Sequence, residues 1–292
     1  MTKLPRGLIF AILCGVSVVL WIRPLLATFA LASSDNKYTY ILLILPLAVA
    51  LIFQGWRERG YKPQFWAGGA GLLLLSLFAA ATGWGYSRAG SDLGLTIEMV
   101  GLVIWWIASF VFCFGRPAVR SFRFPLFFLF AVVPIPKVAL DKIVAGLQQG
   151  SVLAAQSLFW LFRVSVERDG TVLSIPGLDI DVTPECSSIR SSLMLLVTTM
   201  VLAHLLLRTP WHKAFVVLVA IPLSIAKNGL RIFTIGMLGS RVDESYLTGH
   251  LHRQGGIVFF LIALAAIFVL LWFLRRGEGA AVPAPRFSPA KL

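Results

Sequence analysis

Long apolar segments recur along almost the whole chain and constrain its fold more than any other feature. A helix that crosses a bilayer needs about 20 predominantly apolar residues, and within lipid the backbone polar groups must be satisfied inside such a helix. The sequence therefore predicts an all-α polytopic membrane protein with about eight transmembrane helices. The candidate spans are residues 7–31, 38–55, 65–86, 93–115, 124–145, 187–207, 214–238 and 255–274.

The composition argues against a soluble protein. Hydrophobic residues make up 58% of the chain and charged residues 13%, against roughly half and a quarter in soluble domains. The net charge of +13 is compatible with nucleic-acid binding, but the basic residues lie mainly between the apolar segments and form no soluble basic patch. We therefore expect the lipid bilayer as the environment and no nucleic acid as a partner.

The basic residues between the apolar segments predict the orientation. The loops around residues 33–37 and 87–92 contain one basic residue each, Lys37 and Arg88. Cytoplasmic loops carry an excess of Lys and Arg, so we predict a multi-pass protein of the cell (inner) membrane with both termini in the cytoplasm. The basic residues placed in the cytoplasm are Arg57, Arg59, Lys62, Arg116, Arg120, Arg123, Arg208, Lys213, Arg275 and Arg276.

Two regions depart from the pattern of simple spans. The segment "FPLFFLFAVVPIP" is short and ends in two prolines, so residues 124–165 are expected either to cross once or to form re-entrant helices. Residues 277–292 have the composition of a disordered cytoplasmic tail. We expect residues 1–276 to form a single integral membrane domain, with four spans in residues 1–115 and a second half in residues 116–276.

Residues 171–183, "TVLSIPGLDIDVT", have a different periodicity. Leu178 and Ile180 alternate with Asp179 and Asp181, which is typical of a half-buried strand, and "PG" is a turn signal. We predict a small β-hairpin-like segment on the outer side, before the sixth span. Two alternating aspartates do not supply a full set of calcium ligands, so no metal site is predicted there.

One of the three cysteines lies at a boundary between segments. Cys14 and Cys113 lie inside apolar segments, where a thiol usually packs. Cys186 lies between the predicted hairpin and the sixth span, where unpaired N–H groups and the helix dipole stabilise a thiolate, the nucleophilic form. Ser187 and Ser188 add hydroxyl donors. A structural cysteine at a helix end has the same pattern, so Cys186 alone leaves both interpretations open.

The seventh predicted span contains a polar stripe. Arg231 is about seven residues from the predicted outer end, which corresponds to roughly 10 Å. Lys227 and Asn228 follow one turn deeper. Ionisable groups at this depth are costly and usually face a polar cavity or a partner. We interpret the stripe as part of a functional site, with a structural ion pair as the alternative.

The loop after the seventh span contains His250 and His252. Under the predicted topology both histidines, Cys186 and Arg231 lie on the outer side. A thiol, a base that titrates near neutral pH and a fixed cation are the groups that acyl transfer requires. Two histidines this close can also bind a metal ion, but no further ligand accompanies them, and we predict no metal and no cofactor.

Three sequence blocks resemble the exosortase/archaeosortase family of multi-pass membrane cysteine transpeptidases: "ECSSIRSS" (185–192), "NGLRI" (228–232) and "HRQGG" (252–256). The segment that ends in "PIP" also resembles the family, whereas the four N-terminal spans match it only in character. The resemblance implies Cys186 as the nucleophile, Arg231 as the essential arginine and His252 as the base. The second choice of histidine and the expected supporting residues are His250, Ser187, Ser188, Arg190 and Asn228.

The family also implies a reaction and partners. The expected activity is that of a cysteine protease/transpeptidase that cleaves a C-terminal sorting signal on exported proteins. Its substrates would carry a recognition motif, a membrane helix and a basic tail, and the acceptor that resolves the acyl-enzyme is left open. The family's usual Ser-Gly after the cysteine is Ser187-Ser188 here, which leaves the subfamily open. The alternative is a non-enzymatic transporter or assembly subunit of an envelope-polysaccharide export system, in which the polar stripe would line an anion path.

Overall fold

Helices dominate the computed structural model, which describes residues 6–58, 66–183, 189–242 and 250–280. For residues 57, 58, 250–255, 279 and 280 it describes the backbone alone. Contacts divide the chain into a first unit, Met1–Asp141, and a second unit, Lys142–Leu292. The expected single membrane domain over residues 1–276, with halves at residues 1–115 and 116–276, stays a prediction.

The first unit consists of helices joined by short connections. In α5, Gly115 has a φ of 77°, a conformation that favours glycine, and Pro117 follows two residues later. This break lies where the predicted fourth span ends. The elements of the first unit are α1 (Arg6–Leu20), α2 (Ile22–Ser34), α3 (Ile41–Glu58), α4 (Gly68–Arg88), α5 (Leu93–Ser121), α6 (Arg123–Phe128), a 3₁₀ turn (Leu129–Val132) and the start of α7 (Lys137–Leu161).

Close packing around α5 holds the first unit together. A Cβ atom on Gly83 of α4 would lie 2.7 Å from Cγ of Glu98, so only a residue without a side chain fits there. The indole N–H of Trp21 donates to the carbonyl oxygen of Glu98 (2.8 Å), and that of Trp105 donates to the carbonyl oxygen of Leu13 (2.9 Å). Both bonds satisfy large buried or partly buried indoles and attach the N-terminal helices to α5.

The second unit combines helices with a small sheet. Strands β2 and β3 pair antiparallel across the Pro176–Gly177 turn, where Gly177 has a φ of 82°. Strand β1 pairs with β2 and is a strand that the sequence analysis did not predict. The elements of this unit are the rest of α7, β1 (Glu167–Asp169), β2 (Val172–Ile175), β3 (Leu178–Asp181), α8 (Ile189–Leu206), α9 (Pro210–Arg241) and α10 (His250–Ala280).

Helix α9 contributes to two hydrophobic clusters among the described residues of the second unit. Its N-terminal half packs with α8 and α10 in a cluster that includes Leu195, Val216 and Ile267. Nearer its C-terminus, Ile232 joins a cluster formed by α7 and the sheet. A Cβ atom on Gly236 would lie 2.5 Å from Cδ1 of Ile180, so this glycine lets the sheet pack directly on the helix.

The helices confirm a polytopic all-α membrane protein, and the described residues contain fewer candidate spans than the eight apolar segments. Among the described residues, five helices are long and apolar enough to cross a membrane, or up to seven if each bent pair forms one span. The bent pairs are α1 with α2 (74°) and Arg123–Val132 with α7 (96°). The apolar part of α3, Ile41–Trp56, is shorter. The count of eight spans therefore stays a prediction.

The C-terminal helix extends further than the sequence predicts. α10 continues to Ala280, so residues 277–280, expected to belong to a disordered tail, are helical; residues 281–292, the rest of that expected tail, lie outside the described residues. Glu278 accepts hydrogen bonds from the backbone N–H groups of Arg208 (2.7 Å) and Thr209 (2.9 Å) and contacts Nδ1 of His212 (2.9 Å). The end of α10 thereby holds the turn between α8 and α9.

We predict that Gly229→Ala destabilises the second unit. A Cβ atom there would lie 2.5 Å from the Cβ atom of Ala154 and 3.0 Å from the backbone nitrogen of Ala155, so α7 and α9 would be forced apart. We expect a loss of about 1–3 kcal/mol, the usual cost of overpacking. Thermal unfolding of the full-length protein in detergent measures it.

The matched control is Gly146→Ala on α7, where an added Cβ atom meets nothing within 4 Å. An alanine at such a helical position is expected to stabilise by about 0.4–1 kcal/mol. Equal melting temperatures for the two variants would show that α7 and α9 do not need this close approach.

Candidate functional site

A polar face on α9 is the centre of the candidate site. Lys227 and Asn228 are buried, with exposed fractions of 6% and 1%, and Arg231 is half-buried. Spacings of three and four residues place Arg231 on the same side of the helix as the other two. Because α9 continues to Arg241, Arg231 lies about 15 Å from the helix end, a longer distance than the 10 Å expected from the sequence.

The Lys227 ammonium donates a hydrogen bond to the hydroxyl group of Ser191. Ser191 is in the first turn of α8, so this bond places the start of α8 beside the polar face of α9. From Lys227 to its last residue, α9 extends about 21 Å further. The sequence analysis identified Lys227 but missed Ser191, because a serine at a helix start gives no sign of its tertiary partner.

Asn228 adds an amide with unused hydrogen-bonding capacity. Among the described residues, neither its Nδ2 nor its Oδ1 atom has a hydrogen-bond partner. The hydroxyl group of Ser192 in α8 is buried and likewise lacks a partner within that part of the chain. Unsatisfied buried polar groups are costly, so their presence here indicates a place where a further polar group can bind.

The sheet fixes the chain on the other side of the cysteine segment. The side-chain amide of Gln148 in α7 donates to the carbonyl oxygen of Val182 (2.5 Å), and the N–H of Val182 donates to the carbonyl oxygen of Thr171 (3.2 Å). Val182 is buried in the core that contains Ile232 of α9. The chain is therefore attached to the second unit at Val182 and again at Ser191.

The remaining predicted site residues lie in the cysteine segment and in the first turns of α8 and α10 or just before them in the chain. Cys186, Ser187 and Ser188 lie outside the described residues. Arg190 is exposed, in the first turn of α8. The backbone of His250 and His252 belongs to the first turn of α10, so the prediction that both histidines lie in a loop is wrong.

No metal site is visible in the part of the chain that the structure describes, where no three His, Cys, Asp or Glu side chains are grouped to hold an ion. The side chains of Cys186, His250 and His252 are not within that part. The expectation that the site needs neither metal nor cofactor therefore stays a prediction.

Comparison with known families gives one match. The family model described as "Transmembrane exosortase (Exosortase_EpsH)" matches residues 32–269, which include α3 to α9 and most of α10. Neither curated proteins nor solved structures give a significant match. The match covers well over half of the chain and includes all of the candidate site residues.

We predict that Lys227→Met does not destabilise the protein. No carboxylate among the described residues pairs with Lys227, so methionine removes a buried charge and keeps a similar volume. Replacing buried charged groups by apolar residues is often neutral or stabilising. We expect the melting temperature of the full-length variant in detergent to equal or exceed that of the wild type.

Leu195→Ala is the control, since Leu195 is fully buried between α8, α9 and α10 and its truncation is expected to lose about 2–5 kcal/mol. A melting temperature for Lys227→Met as low as that of Leu195→Ala would mean that Lys227 serves the stability of the helix pair. In that case its burial would no longer point to a functional role.

Proposed function

We propose that the chain, which belongs to the exosortase family, is a membrane-embedded cysteine protease/transpeptidase that cleaves a C-terminal sorting signal on exported proteins. One observation carries this proposal: the Lys227–Ser191 hydrogen bond joins the polar face of α9 to the first turn of α8. Cys186 precedes that turn by three residues. This connectivity supports a site made of the cysteine, the buried amide of Asn228 and the two cations of α9.

Chain length limits how far the thiol can lie from the polar face. Cys186 is three positions before Ile189, the first residue of α8, and an extended chain of that length reaches no more than about 11 Å. On the other side, Cys186 is four positions after the buried Val182. These two attachments support a nucleophile held near Asn228 and Arg231.

In the proposed reaction, the thiolate of Cys186 attacks the carbonyl carbon of the scissile peptide bond. A new S–C bond forms, the C–N bond breaks, and a thioester remains on the enzyme. The histidine takes the thiol proton and returns it to the departing amine. An amine-bearing acceptor or water then attacks the thioester carbonyl and releases the cysteine.

Arg231 and its neighbours would stabilise the charge that develops during attack. The guanidinium group presents several N–H donors to the oxyanion, and the effect of such donors is strongest where water is excluded. The Nδ2 group of Asn228 is a further donor that no described residue uses. Lys227 positions the start of α8 and adds positive potential to the same face.

The expected substrates fit a membrane protein of this kind. Each would carry a recognition motif, a membrane helix and a basic tail. Under the predicted topology the basic tail stays in the cytoplasm, and the motif lies on the outer side with Cys186. The acceptor is left open by the chemistry of the site, since both an amine and water resolve a thioester.

The buried cations of α9 also favour a second candidate function. Lys227 and Arg231, half or fully buried in a span, are typical of residues that line a path for anions. A transporter or assembly subunit for an envelope polysaccharide would use them without needing Cys186. Loss of function on replacing the cysteine separates the two functions.

We predict that Cys186→Ala and Cys186→Ser abolish processing of a co-expressed substrate that carries a motif, a membrane helix and a basic tail. The serine hydroxyl is a much weaker nucleophile than a thiolate in the same place. Immunoblots of substrate length report cleavage, and the amount of variant protein in the membrane fraction reports insertion.

Cys14→Ala and Cys113→Ala are the matched controls, because both thiols lie within helices that pack in the first unit. They should process the substrate at close to the wild-type rate. Normal cleavage by Cys186→Ala would rule out the thiol mechanism and leave the transport function as the better account.

The two histidines make a separate prediction. Positions two apart in a helix lie on nearly opposite sides, so only one of them is expected to serve the thiol. We expect His252→Ala to stop formation of the substrate adduct on Cys186 and His250→Ala to reduce it only slightly. At alkaline pH, where solvent generates thiolate, the His252→Ala variant should regain part of its activity.

The measurement is the yield of adduct in each variant from acidic to alkaline pH. The reverse pattern, an inactive His250→Ala and an active His252→Ala, would exchange the two roles. Full activity of both variants would contradict a histidine base altogether.

A further inference from the structure

A cavity of about 560 Å³ in the first unit is lined by charged side chains of both signs. It opens where the turn between α2 and α3 and the turn between α4 and α5 meet the segment that leads into α7. The charged side chains are Asp35 and Lys37 from the first turn, Asp92 from the second, and Lys137 and Asp141 from α7. The proposed function uses none of these residues.

Hydrogen bonds between the connections hold the cavity in shape. The hydroxyl group of the buried Tyr38 donates to the carbonyl oxygen of Ile135 (2.9 Å). The hydroxyl group of Thr96 in α5 donates to the carbonyl oxygen of the preceding residue, Pro134 (3.0 Å). Two separate elements therefore fix the proline-bounded segment before α7, as is typical of a preformed binding site.

The charges in the cavity are complementary to a ligand and not to one another. None of the five charged side chains forms an ion pair with another, although all of them line the same space. Among the described residues no three carboxylates are grouped closely enough to hold a metal ion. A ligand that carries both a cationic and an anionic group would pair with the aspartates and with the lysines.

The aromatic and basic residues beside the cavity are those expected at the level of lipid headgroups. Trp84 and Tyr86, 53% and 47% exposed, lie in the last turns of α4, directly before the second connection. The guanidinium group of Arg88 lies 4.0 Å from the ring centroid of Trp84. Exposed tryptophan, tyrosine and arginine at a helix end are typical of the membrane–water interface. Leu31 and Leu95 give the cavity an apolar wall as well.

We propose that this cavity binds the phosphoethanolamine headgroup of a phospholipid. Lys37 and Lys137 bind the phosphate, Asp35 and Asp92 accept hydrogen bonds from the primary ammonium, Asp141 adds negative potential, and the leucines contact the first methylene groups of the acyl chains. A choline headgroup has no N–H to donate, and a glycerol headgroup has no positive charge. The cavity therefore discriminates among phospholipids of equal chain length.

The test is native mass spectrometry of the full-length protein in detergent, titrated with dioleoyl lipids that carry ethanolamine, choline or glycerol headgroups. We expect the phosphatidylethanolamine adduct to form about tenfold more tightly than the other two, because charge-assisted hydrogen bonds to the carboxylates are absent from them. Equal binding of all three lipids would overturn the proposal.

Free O-phosphoethanolamine, used as a competitor, identifies the source of the headgroup. The competitor is added at the lipid concentration that saturates the protein. Weak displacement of the lipid at this concentration supports a phospholipid ligand. Complete displacement at that concentration would overturn the lipid and assign the same chemistry to a soluble molecule.

Variants assign the binding to the cavity. The double variant Asp35→Asn/Asp92→Asn should bind phosphatidylethanolamine no more tightly than phosphatidylcholine. Lys137→Gln should weaken the binding of all three lipids. Asp179→Asn on β3 and Lys142→Gln on α7 are exposed controls outside the cavity and should bind as the wild type does. Unchanged binding in the cavity variants, at unchanged melting temperature, would place the lipid elsewhere and overturn the proposal.

Discussion

The hydrogen bond from the Lys227 ammonium to the Ser191 hydroxyl is the contact on which the candidate site depends. A buried ammonium in a membrane helix is costly and requires a polar partner, so this bond strongly constrains how α8 and α9 lie against each other. Because Ser191 is in the first turn of α8, the bond also fixes where that helix begins beside α9. This position of α8 supports the proposal that Asn228 and Arg231 serve the chemistry of Cys186, which precedes the helix in the chain.

The rest of the second unit supports this arrangement through α9. The helix is 32 residues long, longer than a bilayer requires, and the part beyond Lys227 carries the sheet. Gly229 and Gly236 have no side chain where α7 and β3 approach, and this allows both elements to pack closely on the helix. Helix α9 therefore connects the polar face inside the unit with the sheet that precedes the cysteine segment in the chain.

Much of this fold follows from local sequence patterns, and the parts that do not follow depend on tertiary contacts. Apolar segments predicted the helices, and alternation around Pro176-Gly177 predicted β2 and β3, but the short charged strand β1 has no such pattern. Hydropathy also misplaced the ends of α9 and α10, because both helices continue past their apolar segments; this is why His250 was expected in a loop. The partners of Lys227, Val182 and Glu278 could not be predicted, since each lies on a different element.

We propose that the α9 cations serve covalent chemistry at Cys186, and trapping of the acyl-enzyme is the decisive experiment. Full-length protein is mixed with a substrate that carries the motif, helix and basic tail, quenched in acid and analysed by mass spectrometry. We expect a hydroxylamine-sensitive thioester that joins the upstream part of the substrate to Cys186, and its loss in Arg231→Lys, which keeps the charge but not the planar donors. Substrate cleavage without any adduct on Cys186, at the same rate in Arg231→Lys as in the wild type, would contradict it.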